Sequence, residues 1–366
     1  MPLSPAHPGG IVRKPRPEVA VNGVRLPASA VISVEVTNSS HFTADTYRVH
    51  LSISGLPPAF GPAYWAESQD DLVSVAVSID GGIPQQLILG QVDDAEIDLV
   101  GRTISLTGRD LSSRFLDAKT AEKFQNLTAS DIALQLSLRQ GLDADVVATS
   151  ARAGTYYEID HAVLTREQTE WDLLVYLAER EGFDVWVSGT TLHFRPAPVE
   201  ASTPYVLFWS EPNALDGGTF ASNATDIRLQ RSQTLAKDII VIVRSWNQKQ
   251  QKGFSEKASA SQAKGQRRGG KAQVYTFIRP NLTPDQALAL AKSLAEQITR
   301  HERLLSASLP ADNILSTRTM VQLVGTNTAF DQLYYPDTVT RRLSMQEGYR
   351  MELRAKNHST LSDVAL

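Results

Sequence analysis

One stretch, residues 108–196, constrains the fold of this chain more than any other, because its apolar period changes along its length. Thr128 and Thr169 each stand three residues before an aspartate, a spacing typical of a helix N-terminus with a capping box. Apolar residues at helical spacing follow both threonines, with Ile132, Leu136 and Leu138 in the first series. The second series ends at Gly182, which suits a helix C-terminus. Alternating apolar residues at 185–194 then indicate a β-hairpin. The stretch therefore predicts a helix, a second helix and a hairpin.

The order of short motifs in this stretch resembles the late-control D family, the hub proteins of contractile phage tails. It is also similar to the N-terminal part of type VI secretion spike proteins. The pieces that carry the resemblance are Gly108-Arg109-Asp110, Thr128-Ala129-Ser130-Asp131-Ile132-Ala133, Trp171-Asp172-Leu173-Leu174, Glu181-Gly182 and Leu192-His193-Phe194-Arg195-Pro196. The alternative interpretation is that capped helices beside a hairpin occur in many α+β proteins.

Residues 18–110 show short runs of alternating apolar and polar residues, separated by turn-forming residues. Val34 and Val36 belong to the first clear run, and residues 87–92 and 97–99 give two separate runs near the end. About six short strands with turns between them predict an antiparallel sandwich or barrel.

Residues 1–17 are rich in proline and glycine and carry Arg13, Lys14 and Arg16 without an acidic residue. This composition predicts a flexible N-terminal arm. Two interpretations remain open, a disordered tail and an arm that becomes ordered against a neighbouring chain.

The β pattern recurs in residues 205–366 and predicts an internal repeat. One set of positions shares its spacing in the two copies: Val34, Val36, Phe42, Asp45, Tyr47 and Val49 with Ile227, Leu229, Leu235, Asp238, Ile240 and Ile242. A second set does the same: Gly101, Ile104, Leu106, Gly108, Arg109 and Asp110 with Gly348, Met351, Leu353, Ala355, Lys356 and Asn357. The separation between copies is larger for the second set, so the second copy contains an insertion.

The insertion combines a basic segment with a helix. Residues 249–271 have few apolar residues, which predicts a mobile loop. Their basic residues are candidates for contact with an acidic partner or with DNA, the alternative being a solvated surface: Lys249, Lys252, Lys257, Lys264, Arg267, Arg268 and Lys271. Residues 283–302 predict a helix with Thr283 as its cap and Pro284 at its first position. Its apolar stripe consists of Ala287, Leu290, Ala291, Leu294 and Ile298.

Together these patterns predict an α+β, mainly β fold. Two antiparallel β-barrel domains, at residues 18–110 and 205–366, flank a helix–helix–hairpin domain at 111–204. A chain of 366 residues is too long for one compact core, which agrees with this division. The resemblance implies that both barrels are tail-tube-like.

No pattern for catalysis, a cofactor or a metal is present, so the sequence predicts that the chain is not an enzyme. The absence of cysteine excludes disulfides and thiolate sites. The seven histidines form no His-Glu-x-x-His pair, and neither a Gly-x-Ser-x-Gly elbow nor a phosphate-binding loop occurs. The acidic pairs at 70–71 and 93–94 are interpreted as solvated turns, since adjacent residues of a strand face opposite sides.

The net charge of −4 argues against attraction of the whole surface to nucleic acid. No apolar run is long enough for a transmembrane helix, and the N-terminus lacks the apolar core of a signal peptide, so we expect no membrane insertion.

The family resemblance implies a structural baseplate hub, a homotrimeric ring with pseudo-six-fold symmetry. Such a ring joins the hexameric tail tube to the trimeric central spike and lines the channel for DNA or the tape measure protein. The implied partners are the tail tube protein, the central spike protein, the tape measure protein and baseplate wedge proteins. The implied location is the virion tail baseplate, or the same part of a phage-like particle, after synthesis in the bacterial cytoplasm.

The resemblance also leads us to expect that the spike is a separate chain, because the second barrel is followed by no further domain in this sequence. Two alternatives from other classes remain open: a β-barrel enzyme that degrades cell walls, and a receptor-binding tail module.

Overall fold

The computed structural model describes residues 13–40, 42–120, 122, 124, 126–150, 168–196, 203–212, 220–232, 239–247, 252–260, 273–279, 282, 284–299, 303–358 and 364–365. The N-terminal part contains β1 (Pro15–Val21), β2 (Val24–Arg25), β3 (Val31–Ser39), β4 (Thr46–Ser52), α1 (Pro62–Glu67), β5 (Leu72–Ile79), β6 (Gln85–Asp98) and β7 (Thr103–Asp110).

The middle part contains α2 (Ser113–Asp117), β8 (Lys119–Thr120), α3 (Ala129–Arg139), β9 (Asp143–Val146), β10 (Gln168–Thr169), α4 (Glu170–Glu181), β11 (Phe183–Ser188) and β12 (Thr191–Pro196). The C-terminal part contains β13 (Tyr205–Ser210), β14 (Ala221–Ser222), β15 (Asp226–Arg231), β16 (Ile239–Asn247), β17 (Lys252–Ala260), β18 (Gln273–Ile278), α5 (Pro284–Thr299), β19 (Arg303–Pro310), β20 (Val321–Val324), β21 (Leu333–Ser344), β22 (Gly348–His358) and β23 (Val364–Ala365).

The first half of the main sheet is antiparallel and runs β3-β4-β7-β6-β5-β1-β2. β1 and β3 stand at or near opposite ends of this series, yet they contact each other, so the strands curl around a shared core. Alternate residues of the strands form that core, among them Val19, Val21, Val34, Val36, Tyr47, Val49, Leu51, Val73, Val75, Val77, Ile104 and Leu106. The alternation seen in the sequence therefore marks the buried face.

The second half runs β13-β20-β21-β22-β19-β15, and β13–β20 is its parallel pair. Its core is separate and includes Tyr205, Leu207, Leu305, Ala307, Leu309, Val321, Leu323, Tyr334, Val339, Met351 and Leu353. β21 and β3 join the halves edge to edge, so one 14-stranded sheet passes through both. The predicted α+β, mainly β fold is confirmed. The second half differs from the predicted antiparallel arrangement in its pair β13–β20, which is parallel. The predicted domain bounds stay a prediction.

The two halves repeat one strand order. β3, β4, β7, β6, β5 and β1 correspond to β15, β19, β22, β21, β20 and β13. The registers of the first three strands agree as well. In the first half Val34, Val49 and Leu106 lie opposite one another, and in the second half the equivalent residues Ile227, Ala307 and Leu353 do the same. Both ends of the predicted repeat are confirmed by this correspondence.

The middle of the predicted repeat is wrong. Val49 has its equivalent in Ala307 of β19, whereas the sequence matched it with Ile242 of β16. β16 belongs to a different sheet, so the insertion precedes the second strand of the repeat. Both strands carry apolar residues at alternate positions, and this spacing does not specify a partner strand. The sequence likewise matched Tyr47 with Ile240 of β16. It also matched Phe42 with Leu235 and Asp45 with Asp238, and both Leu235 and Asp238 lie outside the described residues.

The insertion forms a small sheet in the order β18-β16-β17-β23, and α5 packs on it. Its core contains Val241, Val243, Ala287, Ala291 and Ala295. α5 begins at Pro284, and the predicted apolar stripe lies in or against this core, which confirms the helix. Residues 283 and 300–302 of the predicted range lie outside the described chain.

The prediction of a mobile loop at 249–271 is wrong for residues 252–260, which form β17. β17 pairs with β16 on one side and with β23 on the other. Backbone hydrogen bonding to β16 along its whole length, with β23 added at residues 259–260, holds this segment extended although it has few apolar residues. The remainder of the predicted loop lies outside the described residues.

Two boundaries near the N-terminus also differ from the prediction. β1 begins at Pro15 and pairs with β5, so the predicted flexible arm of residues 1–17 includes the start of a strand. Arg13 Nη1 donates to Ala311 O at 3.1 Å, and residues 1–12 lie outside the description. Residues 87–92 and 97–99 were predicted as two strands, but β6 runs through Asp98 and contains a bulge between Val92 and Asp94.

The middle part follows the sequence closely. Thr128 and Thr169 form complete capping boxes with Asp131 and Asp172, and Gly182 ends α4 in the left-handed conformation, with φ of 68°. The core combines both helices with the hairpin, and β9 adds to β12 in parallel: Leu111, Phe115, Ile132, Leu136, Trp171, Leu174, Leu177, Val185, Leu192 and Phe194 belong to it. Leu138, placed on the apolar face by its spacing, is instead 66% exposed.

Candidate assembly surface

The joint between the two halves of the sheet is the seam, residues 33–39 of β3 paired with residues 338–344 of β21. Glu35 lies directly opposite Arg342, and Arg342 Nε is 2.9 Å from Glu35 Oε2. Thr37 Oγ1 and Thr340 Oγ1 lie 3.0 Å apart on the same face. The opposite face is buried by Val34, Val36, Arg341 and Leu343. The seam therefore has an apolar inner face and a polar outer face.

Arg341 is the exception on the inner face, since it is a buried cation. Its guanidinium donates to the backbone carbonyl groups of Asp312 (2.8 Å) and Leu315. Burial lowers the pKa of Arg341. Because carbonyl oxygens satisfy this charge, Arg341 ties the loop at 312–315 to the seam.

Two carboxyl groups lie beneath the seam. Asp45 accepts hydrogen bonds from Asn38 Nδ2 and Ser39 N, both at 2.7 Å, and Asp110 accepts from Ser112 N at 3.2 Å and from Ser112 Oγ. Burial raises the pKa of Asp45, and burial with repulsion from Asp45 raises the pKa of Asp110 to about 7. The pair is held by local hydrogen bonds and by its position between the domains.

A cavity of about 500 Å³ adjoins these carboxyl groups. Arg318 reaches into it from the C-terminal half, with its guanidinium carbon 3.3 Å from the centre of the Trp186 ring. Arg318 Nη1 also lies 3.1 Å from Asp184 Oδ2 in the same hairpin. These contacts bind β11 to the C-terminal half, so the cavity lies where three parts of the chain meet.

Other described side chains show no arrangement for metal chemistry, because no group of three or more His, Asp or Glu residues in the described ranges could hold an ion. Among the helices that the structure describes, none combines the length and apolar content needed to span a lipid bilayer.

An equivalent acidic residue marks the bulge in each half. Asp93 and Asp337 are the extra residues of the bulges in β6 and β21, which fall at equivalent places in the two halves. Arg109 pairs with Asp93 at 2.8 Å, and Lys356, at the position equivalent to Arg109, pairs with Asp337 at 3.2 Å. Residues 93–94 are exposed, as interpreted, but they lie at a strand bulge and not in a turn. For the other pair, Asp70 is exposed, but Asp71 is buried and accepts a hydrogen bond from Asn22 Nδ2 at 2.7 Å, so the interpretation is wrong for Asp71.

The edges of the main sheet that have no second strand within the described ranges include those of β2 and β14, at the ends of the strand order, and those of β6 and β15. β6 pairs with β5 only as far as Gln91, so its residues 94–98 are paired on one side, by β7. β15 is likewise paired on one side, by β19. The β6 edge carries Asp93, Asp94, Glu96 and Asp98, whereas β15 carries Arg228 and Arg231. One edge is thus acidic and the other mainly basic.

The predicted basic residues are only partly within the description. Lys252 and Lys257 lie in β17, and the side chain of Lys257 is exposed. The others, Lys249, Lys264, Arg267, Arg268 and Lys271, lie outside the described residues. Their contact with an acidic partner or DNA stays a prediction.

Sequence reasoning missed the seam. The repeat contained a signal for the two strands of the seam. β3 matches β15 in the repeat, and the β pattern of the second copy extends to Ser344 at the end of β21. Opposite charges at Glu35 and Arg342 are far apart in the sequence and carried no sign that they meet.

No protein-family model matches this sequence, and no curated protein matches it. Solved structures do match. The tail protein from Neisseria meningitidis MC58 aligns with a TM-score of 0.67 and 15% identity, over 95% of this chain and 98% of that one. The 43 kDa tail protein of prophage MuSo2 from Shewanella oneidensis gives a TM-score of 0.64 and 15% identity, over 93% and 98% of the two chains. This chain has the fold of phage tail proteins.

The same fold occurs in a type VI secretion system component from E. coli, with a TM-score of 0.53 and 12% identity over 95% of this chain and 79% of that one. That protein is described as structurally similar to tail proteins of bacteriophage T4. The resemblance inferred from residues 108–196 is thereby confirmed in its fold.

Proposed function

We propose that this chain is a structural hub protein of a phage-like tail, in which three copies form a ring with pseudo-six-fold symmetry. The observation that carries the proposal is the repeated strand order within one chain, with the two halves joined edge to edge at the seam. Three such chains present six similar β units, which matches a hexameric tube on one face and a trimeric spike on the other.

The fold common to tail proteins over nearly the whole chain supports this role. The partners that follow are the tail tube protein, the central spike protein, the tape measure protein and baseplate wedge proteins. The ring would line the channel for DNA or the tape measure protein, and its place would be the tail baseplate of a virion or phage-like particle.

We also propose that the chain has no enzymatic activity. The acidic pair, half-buried Asp45 and buried Asp110, is engaged in local hydrogen bonds with Asn38, Ser39 and Ser112, which supports a structural use. Hydrolysis of purified cell walls by this chain, abolished in Asp110→Asn, would contradict this proposal and favour the cell-wall enzyme.

The test of the ring is the mass in solution, measured by light scattering after size exclusion over a range of concentrations. We expect a species of three times 40.1 kDa, alone or on addition of the central spike protein of the same particle. Electron microscopy of that species should show a ring with six lobes. A strict monomer under all of these conditions would contradict the proposal.

A further inference from the structure

We propose that the β6 edge, residues 95–98, pairs antiparallel with residues 228–231 of β15 in a second copy of this chain, in the register of the seam. This inference rests on the proposed ring and specifies its joint. It places Ala95 opposite Arg231, Glu96 opposite Gln230, Ile97 opposite Leu229 and Asp98 opposite Arg228.

The register follows from the repeat. β21 and β6 occupy equivalent places in the two halves, and each contains a bulge. The bulge of β21 lies opposite Ala355 and Arg354 of β22, and the bulge of β6 lies opposite the equivalent residues of β7, Gly108 and Thr107. Counting from the bulge, Thr340 corresponds to Glu96 and Arg342 to Asp98. β3 corresponds in the same way to β15, so Glu35 matches Arg228.

Within one chain, β21 is completed by β3, while the equivalent edges of β6 and β15 have no strand added to them in the described ranges. Exposed strand edges readily accept another strand, and proteins normally cover them. The two edges of one chain differ, so each copy can bind the next head to tail, and such a contact closes into a ring when the rotation allows it.

Charge supports this pairing over its alternatives. In the seam the pair is Arg342 with Glu35, whereas in the proposed joint it is Asp98 with Arg228, at equivalent positions and with the polarity reversed. If β6 met β3 of another copy, Asp98 would face Glu35, and opposed like charges destabilise a strand pair. The reversal therefore favours alternation of the two halves around the ring.

Both members of the new charge pair are accessible. Asp98 Oδ1 accepts from Val100 N (3.0 Å) and Gly101 N (2.7 Å), which leaves Oδ2 for a partner. The side chain of Arg228 is 80% exposed and contacts Asp226 Oδ2 at 2.9 Å. A guanidinium can bind two carboxylates at once through its several donors.

The inner faces also match. Ile97 would lie against Leu229, and both are half-buried in the single chain. Leu99, in the turn that follows β6, is 71% exposed and would lie near Ile227. In the seam the equivalent positions, Leu343 and Val34, are buried. The β6–β7 hairpin turns earlier than the β21–β22 hairpin, so the proposed joint is shorter than the seam.

Disulfide trapping tests the register, because the chain contains no cysteine. We expect Glu96→Cys combined with Gln230→Cys to give covalent dimers and trimers under oxidation, in more than half of the chains, all reversed by a reducing agent. Thr37→Cys with Thr340→Cys, the equivalent pair of the seam, is the positive control and should close within one chain. Glu96→Cys with Leu229→Cys is the register control, since a shift by one residue places the side chains on opposite faces.

The outcomes of these experiments distinguish a failure of the proposed joint from a failure of the proposed hub function. If the variant forms trimers by light scattering and the seam control closes, but the Glu96 and Gln230 cysteines remain free, the joint is overturned and the hub stands. If no trimer forms at any concentration, both proposals fail.

Arg228→Glu provides a second measurement, because it places an acidic side chain opposite Asp98. We expect about a tenfold rise in the concentration needed for trimers, and no change would also overturn the joint.

Discussion

Arg342 and Glu35 are 307 positions apart in the chain, yet they lie directly opposite each other in adjacent strands, with Nε 2.9 Å from Oε2. Arg342 Nη1 also contacts Glu352 Oε1 at 2.7 Å. The ion pair thus lies in the seam, where the first half of the chain meets the second, and a measurement of this pair probes the seam directly.

A double-mutant cycle at the seam should detect this pair. Glu35→Gln and Arg342→Gln should be coupled by about 0.2–1 kcal/mol in the free energy of unfolding, because both side chains are nearly half exposed and exposed pairs contribute little. Urea denaturation of the four proteins measures the coupling. A coupling of zero at low salt would show that the pair makes no contribution, and Glu352→Gln with Arg342→Gln gives the comparison within β21 and β22.

Asp110 should make stability fall as pH rises. Its pKa is raised from 3.8 to about 7 in the folded chain, so its contribution is complete below about pH 4 and is lost as pH rises through 7. Asp110→Asn should therefore raise the free energy of unfolding at pH 8 by about 1–3 kcal/mol and change it little at pH 4. The equivalent residue of the second half is already asparagine, Asn357, which is also buried.

Denaturation curves between pH 4 and pH 8 check this expectation. Glu67→Gln, at an exposed carboxyl group that ends α1, is the control for loss of a surface charge. If the slope of stability against pH is the same in Asp110→Asn as in the parent chain, another group is responsible.

Gly108 should not tolerate a side chain. A Cβ there would lie 2.0 Å from the Gln91 carbonyl oxygen and 2.6 Å from the Tyr47 hydroxyl oxygen. We expect Gly108→Ala to lower the free energy of unfolding by about 2–4 kcal/mol, since the neighbouring backbone must shift.

The repeat offers a matched control at the equivalent buried position, Ala355. Ala355→Gly should cost only about 1 kcal/mol, through added backbone freedom and a lost methyl group. Chemical denaturation of both variants makes the comparison, and equal costs at the two sites would contradict the close contact at Gly108.

Arg318 should hold the hairpin of the middle part to the C-terminal half. Arg318→Ala removes the contact with the Trp186 ring and the ion pair with Asp184. Hydrogen exchange in β11 and β12 should become about tenfold faster, while exchange in the seam remains unchanged. Arg195→Ala, in β12 of the same hairpin, removes an exposed pair with Asp145 of β9 and is the control. Equal effects of the two variants would exclude this role for Arg318.

Local elements could be predicted from the sequence because their determinants lie within a few residues of one another. The capping boxes at Thr128 and Thr169, the end of α4 at Gly182 and the apolar stripe of α5 each depend on contacts made inside one helix. The buried face of each strand was also predictable, since alternation reports which side of a strand is apolar.

Only the tertiary structure decided which strands are neighbours. Alternation does not name the partner, so β16 was mistaken for β19, and β17 was missed because its pairing lies in the backbone rather than in its side chains. The contact of Glu35 with Arg342 has the same origin. The sequence by itself determined most of the elements and most of their buried faces, through local interactions. The closure of the whole chain determined the seam and the open edges of β6 and β15.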